Sequence, residues 1–461
     1  LMLPTIPSGN VTSGLATGYD VANSCRFNDG DQARMNRDLV TATSRQKFTY
    51  SFWIKRCTIS QQFFITNAGS TSHIKFDANH KLDFMDEDGN IRYVTNRVFR
   101  DVSAWYSIII AVDTTQGVAG NRVKIYVNGT QETSFSTSTA PDEDYNCTFN
   151  TAVNFKYGSY DNDADYNLDA YLAEVVFIDG LQLAPTSFGE FDEDSPTIWK
   201  PIDVSGLTFG NNGHYLDFEA SDNLGNDANG GTDWTEANLA ATDQATDSPT
   251  NNFATLNPLN FHTYSGTYSE GNLKMVASND SWYADGSTIA PTSGKWYMEV
   301  KITAIGDYCA LGVGAFPFSN VGHSQLIGEL SNTIGWRNNG VINQNGSAGS
   351  SLNSYTTNDI IGMYLDLDNG KFYFAKNGTL ESGTGLSLTT GIEYFFVTNP
   401  RGSTLEHNFG NPTWSLSSAV ADTNGYGSFE YDPSDGGGSS FDSAAKDFLA
   451  LCTKNLGSDG G

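Results

Sequence analysis

The stretch Ile360–Thr379, IIGMYLDLDNGKFYFAKNGT, constrains the fold of this chain more than any other. Two runs alternate apolar and polar residues, Gly362 to Leu367 and Lys371 to Lys376, and they flank Asp368-Asn369-Gly370. An Asn-Gly pair supplies the positive φ values of a tight hairpin turn, so the stretch predicts a β-hairpin. A second pair, Asn377-Gly378, closes the next strand six residues later. The region is therefore expected to be a meander of short antiparallel strands and not a βαβ unit. Nothing in it has the residue types of a catalytic site.

A chain of 461 residues exceeds the size at which one core stops growing, and two or three domains are expected. Glycine is abundant at 47 residues and aromatics reach 13%, the balance of many short strands joined by tight turns, so the expected class is all-β. The 25 lysines and arginines stand against 53 aspartates and glutamates, for a net charge of −28. Nucleic acid is excluded as a main partner, because a phosphate backbone needs clustered cations. Anionic membranes are disfavoured on the same ground. Cys25, Cys57, Cys147, Cys309 and Cys452 are odd in number, widely spaced and form no CxxC pair, which fits small buried apolar groups better than disulfides or zinc. The opening LMLPTIPSGNVTSG has neither the cationic nor the apolar region of a signal peptide. No apolar run approaches the roughly 20 residues that span a bilayer, so neither a signal peptide nor a transmembrane segment is expected, and lysis is one route by which such a protein could reach the exterior.

Taken in order, residues 1–19 read as an extended N-terminal arm able to lie on a neighbouring subunit. Residues 20–201 form a first β unit. Within it Phe48, Tyr50, Phe52 and Ile54 fall on one face of a strand, and Trp105–Asp113 reads as a central strand buried on both faces. The segments FTYSFWIKR (48 to 56), AWYSIIIAVDTTQGVAGNRVKIYVNGT (104 to 130) and DAYLAEVVFIDGLQLAP (169 to 185) resemble the laminin G-like, or concanavalin A-like, jelly-roll domains. The pattern departs at Ala170, where such domains commonly have Gly, and at Glu174, one step removed from an Asp-Glu pair. The resemblance implies a β-sandwich and carries no metal site with it.

Residues 202–258 are rich in Asn, Asp, Gly and Thr with scattered aromatics, and read as a connector holding one short strand, HYLDFE, pinned to a domain surface. Residues 259–412 form the second β unit. Its segments GKWYMEV, ALGVG, DIIGMYLDLDNGKFYFAKNGT and NFGN, in that order, resemble a SPRY domain, a β-sandwich that serves as a binding module. Residues 413–461 make a C-terminal tail. The fold class is thus two jelly-roll sandwiches, concanavalin A-like and then SPRY-like. DSPTNNFATLNPL (247 to 259), WKP (199 to 201), FIDG (177 to 180), FEYDP (429 to 433) and FLALCTKNL (448 to 456) extend the likeness nearly to full length, to structural proteins of tailed bacteriophages and related environmental viruses. A Gly-Ser-Asp insertion, Ser434 to Ser443, departs from the shorter tail of that group.

An enzyme is not expected. The nearest approach to the paired carboxylates of jelly-roll glycoside hydrolases, ExDxxE, is Glu190-Phe191-Asp192-Glu193-Asp194-Ser195, with Ser in the last place. The histidines show no HExxH spacing and no GxSxG elbow exists. Asp161, Asp163 and Asp165 alternate, with Asn167 and Asp169 continuing the row; hard oxygen ligands gathered this way suit calcium, and a solvated acidic loop is the preferred alternative. No other cofactor is indicated. Tyr160 and Tyr166 flank the row, and Trp336, Arg337, Asn338 and Asn339 combine an aromatic face with planar hydrogen-bonding groups, so these six are the ligand candidates. For the second set, a core Trp336 and an Asn pair that merely forms a turn is the preferred alternative. The resemblance implies a virion structural protein, a fibre, spike or head-decoration subunit at the particle surface. Its expected partners are other virion proteins, further copies of itself, with a trimer one arrangement, and host-surface glycans. A bacterial lectin or adhesin is the second class and a glycan-degrading enzyme the third.

Overall fold

The computed structural model describes residues 18–69, 71–160, 166–259, 266–278, 284–315, 326–434 and 446–459. The chain divides into two compact units, with the division between Thr250 and Asn251. Each is a β-sandwich.

In the first unit one sheet runs in the order 130–131, 123–127, 105–113, 47–56, 170–179, 24–27, 244–245, and strand His214–Leu216 also pairs with Ala170–Asp179. The facing sheet runs 135–139, 91–98, 81–86, 73–76, 62–67, 154–157, 34–38, 235–237. Alternation decides what lies between them. Phe48, Tyr50, Phe52 and Ile54 meet Phe64, Ile74, Phe76, Phe84 and Tyr157 in one buried core, while the odd partner Trp53 faces the other way. Trp105–Asp113 pairs on both edges and is buried on both faces: Ile108 and Ile110 enter the core, and Ile109 packs beneath Val204, Phe209 and Tyr215.

That last contact belongs to a third layer. The residues after Ala184 carry few apolar side chains, but Phe188, Trp199, Val204, Phe209, Tyr215 and Ala245 all lie on the outer face of the first sheet. Residues 202–250 add not one strand but three, His214–Leu216, Thr235–Ala237 and Gln244–Ala245, each paired to a strand of the sandwich. Trp199 of this layer rests on the turn Asn128-Gly129, whose φ values are 48° and 72°. A Cβ at Gly129 would stand 2.2 Å from the Trp199 ring. Gly129→Ala therefore combines left-handed strain with overlap and is expected to cost about 2 kcal/mol or more in a denaturant titration.

In the second unit a nine-stranded sheet runs 267–269, 274–276, 404–408, 295–304, 360–366, 371–376, 379–380, with 386–387 and 449–450 paired alongside. A six-stranded sheet runs 285–286, 394–401, 308–315, 333–337, 341–344, 347–351. Trp296, Met298, Val300, Met363, Leu365, Phe372 and Phe374 meet Leu311, Val313, Ile334, Trp336 and Phe396 between them. The hairpin forms as expected but turns differently. Asp366 pairs with Lys371, so the loop has four residues, Leu367 to Gly370; Gly370 is left-handed at φ 62°, and the Asn369 backbone and side-chain N–H groups both bond the Asp366 carboxylate. The two-residue turn is the second pair, Asn377 and Gly378, at φ 49° and 76°. On the outer face, the cross-strand row Tyr297, Tyr364 and Tyr373 is covered by Phe253, Phe429, Phe448 and Cys452. All five cysteines are buried, and none forms a disulfide. Among the described residues no helix is long and apolar enough to cross a membrane.

Candidate functional site

Strands Gln62–Asn67, His73–Phe76, Lys81–Asp86 and Ile91–Val98 send every second side chain away from the core. Phe63, His73, Lys75, Asp83 and Arg92 are those side chains. They would be exposed on a bare sheet, yet Phe63, His73 and Asp83 are buried: Tyr160 and Tyr166 lie against Phe63, Phe63 packs on His73, and His73, Lys75 and Arg92 gather around Asp83. The Phe63 N–H donates to the Tyr166 carbonyl at 3.1 Å. The Tyr160 ring centroid stands 4.6 Å from that of Phe63, Tyr166 stands at 6.1 Å, and the two tyrosines meet edge to face at 5.9 Å. The Lys75 ammonium sits 4.9 Å from the centre of the Phe63 ring.

One carboxylate organises the charges. Asp83 accepts from Arg92 Nε and Nη2 at 3.3 and 3.0 Å, with Lys75 Nζ at 3.9 Å and His73 Nε2 at 3.8 Å. Burial alone would raise the Asp83 pKa, but His73 and Arg92 hold it below the usual carboxylate range. Burial lowers the pKa of His73, so its imidazole is neutral near pH 7, and burial also lowers that of Lys75. Tyr160 and Tyr166 remain half-buried, and the Arg92 side chain is 43% exposed. The described part of this surface thus offers two aromatic faces beside two cationic donors.

The sequence candidates fare unequally. Tyr160 and Tyr166 are brought together. Asp161, Asp163 and Asp165 lie outside the described residues; Asn167 and Asp169, which continue their row, are buried. Among the described residues no group of three His, Cys, Asp or Glu side chains is arranged to hold a metal. Trp336, a ligand candidate for which a core position is the preferred alternative, is a core residue: it is fully buried, its ring 4.9 Å from Tyr355 and 5.3 Å from Phe374, so it is no ligand contact. Arg337 bonds Glu329 at 2.6 Å and lies 5.3 Å over Tyr308. Asn338 Oδ1 accepts the Cys309 N–H and Asn339 Oδ1 the Val341 N–H, so the Asn pair builds the turn that Gly340 closes on Arg337. Glu190 and Asp192 pair with Lys200 across a hairpin, and Asp192 also caps the Asp194 and Ser195 N–H groups. Phe63, Lys75, Asp83 and Arg92 were missed by reading the sequence. Their only signal is polar residues at the outward positions of HIKF, KLDFMD and IRYV, a pattern shared by any solvated sheet face.

Residues 27–181 match the family model of the concanavalin A-like lectin/glucanases superfamily, and residues 295–412 match that of the SPRY domain. One match falls in each of the two units. Among solved structures it is similar to the SPRY domain of human HERC1, with 16% identity over 33% of this chain and 96% of that one and a TM-score of 0.29. The TRIM65 PSpry domain is 20% identical over 33% of this chain and 89% of that one, with a TM-score of 0.28. A heptameric SAP-like pentraxin from Limulus polyphemus is 11% identical over 36% of this chain and 80% of that one, again at 0.28.

Proposed function

We propose that this chain is a non-catalytic recognition subunit of a virion surface, a fibre, spike or head-decoration protein of a tailed phage or similar virus, and that its first sandwich contacts host-surface glycans. The observation that carries the glycan reading is the Phe63, Tyr160 and Tyr166 cluster beside Lys75 and Arg92. Aromatic faces accept the C–H surface of a sugar ring, and the flanking cations donate to its hydroxyls. The virion reading is supported by the nearly full-length likeness of WKP, FIDG, DSPTNNFATLNPL, FEYDP and FLALCTKNL to phage proteins. A single sugar site of this kind binds near millimolar, about −4 kcal/mol, so function requires repetition, and linked copies gain roughly 10²- to 10⁴-fold. A homo-oligomer, with a trimer one arrangement, supplies that repetition, and calcium bound by Asp161, Asp163 and Asp165 belongs to the same reading.

The test is binding of the whole protein to immobilised surface polysaccharide of candidate hosts. Tyr160→Ala and Tyr166→Ala are each expected to lower binding about tenfold, equivalent to about 1.4 kcal/mol, with little change in melting temperature. Binding that neither variant weakens would remove the site. Finding the protein absent from purified particles by mass spectrometry would remove the virion reading.

A further inference from the structure

Strand Ala170–Asp179 breaks its register with Lys47–Arg56 between Ala173 and Val176, and in that bulge Glu174 takes a left-handed φ of 49°. Non-glycine residues are rarely held there unless the surroundings demand it. The bulge turns the Glu174 carboxyl onto the outer face of the sheet, where it is buried. The Tyr215 hydroxyl lies 2.9 Å from both Glu174 oxygens, the Tyr19 hydroxyl lies 3.3 Å from Oε2, and the two tyrosine oxygens are 2.9 Å apart.

Counting protons gives the consequence. Three oxygen groups in mutual contact need three O–H donors to close a ring in which each donates once and accepts once. The two phenols supply two. The third must come from Glu174 as the carboxylic acid: it donates to Tyr19, Tyr19 donates to Tyr215, and Tyr215 donates back to the carboxyl. An ionised Glu174 leaves one contact without a proton and buries a charge that no cation among the described residues pairs with. The charges that act on Glu174 and Tyr19 include Asp203, Asp217 and Glu219, all acidic. Lys200 lies beside Gly18, but its ammonium is paired with Glu190 and Asp192. His214, next to Tyr215, points to the opposite side, where it bonds Tyr157 at 2.7 Å.

We infer that the first sandwich carries an acid-tightened latch: a closed ring of Glu174, Tyr19 and Tyr215 ties both the entering chain at Tyr19 and the strand His214–Leu216 to the bulge, and loosens when the carboxyl loses its proton. Burial first, then Asp217 and Glu219, push the Glu174 pKa up to about 8 from 4.5, against the opposing effect of Tyr215 and Tyr19, both of which donate to the carboxylate once it is ionised. An acid whose pKa is higher in the closed state than in the open one contributes fully below about pH 4.5. Its contribution is lost as pH rises to about 8 and changes no further above it. The segment that begins at Tyr19 is thereby held more firmly in acid than at neutral or alkaline pH.

The experiment is hydrogen exchange of the full chain read by mass spectrometry, corrected for intrinsic rates, on peptides covering residues 19–25 and 212–218 from pH 5 to 9. In the wild type, opening should rise by up to about tenfold per pH unit to pH 8 and then level off. Glu174→Gln keeps the ring, since its amide donates to Tyr19 and its carbonyl accepts from Tyr215, and should be flat across the range. Tyr19→Phe removes one hydroxyl and should raise exchange of residues 19–25 already at pH 5. A Glu174→Gln profile that follows the wild type overturns the inference. So does a Tyr19→Phe protein indistinguishable from wild type at pH 5, which serves as the deciding arm if Glu174→Gln does not fold.

Discussion

Replacing Asp247 with alanine is expected to cost the first sandwich about 3–5 kcal/mol, roughly 10 °C in melting temperature for a unit of this size. Asp247 Oδ2 lies 2.7 Å from Lys55 Nζ, and its Oδ1 accepts the Trp105 indole N–H at 2.9 Å. The side chains of the pair are 1% and 0% exposed. Lys55 and Trp105 are cross-strand partners at one end of the central strands, and Asp247 arrives from the far end of the covering layer. The carboxylate therefore fastens that layer where it has little apolar surface of its own. Alanine would leave the ammonium against the Tyr171 ring, 5.7 Å away, without the acid that balances it. Breaking one partner of a buried pair is costly because a charge stays behind, whereas removing both can be nearly neutral. The double variant Lys55→Met with Asp247→Leu removes the stranded charge and should recover part of the loss, remaining about 1–3 kcal/mol below the wild type because the buried Trp105 indole N–H still lacks its acceptor. Denaturant titration of the three proteins decides it: a loss below 1 kcal/mol for Asp247→Ala would mean that the layer is fastened elsewhere.

The pair also marks where sequence reading runs out. Strand periodicity was legible because one side of each strand must be dry: Phe48, Tyr50, Phe52 and Ile54 could be assigned to the core from their spacing alone, and the structure places them there. The same rule applied to Thr333-Ile334-Gly335-Trp336 would have put Trp336 beside Ile334 inside the second core, where it lies. What spacing cannot encode is a layer built from isolated residues. Phe209, Tyr215, Phe218, Leu224 and Trp234 are all buried, but they are separated by Asn, Asp and Gly in no repeating pattern, so the stretch reads as a connector. Its order comes from long-range polar contacts such as Asp247 with Lys55 and Asn212 with the Asp179 carboxylate at 3.1 Å. The binding surface was half legible for a similar reason. Tyr160 and Tyr166 are close in sequence, whereas Phe63, Lys75, Asp83 and Arg92 come together only through strand register. The two-residue Asn-Gly rule held at Asn377-Gly378 and gave way at Asn369-Gly370, where the Asp366 side chain captures Asn369 and lengthens the loop.

In the second sandwich the largest effect is expected at Glu299, which fastens the C-terminal segment to the nine-stranded sheet. Its side chain is wholly buried, and four donors converge on it: Tyr297 Oη at 3.0 Å and the Tyr431 N–H at 2.8 Å on Oε1, and Asn408 Nδ2 and the Glu430 N–H, both at 3.0 Å, on Oε2. Glu299→Ala strands all four, and should cost about 3–5 kcal/mol and expose residues 426–431 to hydrogen exchange. Burial pushes the Glu299 pKa up to about 7 from 4.5, against the opposing effect of these donors. The sign follows from that shift: the contribution is complete below about pH 4.5 and is lost by about pH 7, on the order of 3 kcal/mol across the window. At acid pH the proton has one place to go, from Oε1 to the Tyr297 oxygen, because a phenol can turn from donor to acceptor and a backbone N–H cannot. Glu299→Gln imitates the charge of that state but not its fit. Whichever way the amide turns, its NH₂ meets a backbone N–H, so the variant should be about 1–2 kcal/mol less stable than wild type at pH 5 and lose the pH dependence between pH 5 and 7. Thermal unfolding at those two pH values, with exchange at residues 426–431 assigning the transition, separates the outcomes. A Glu299→Gln protein that keeps the wild-type slope would place the titrating group elsewhere.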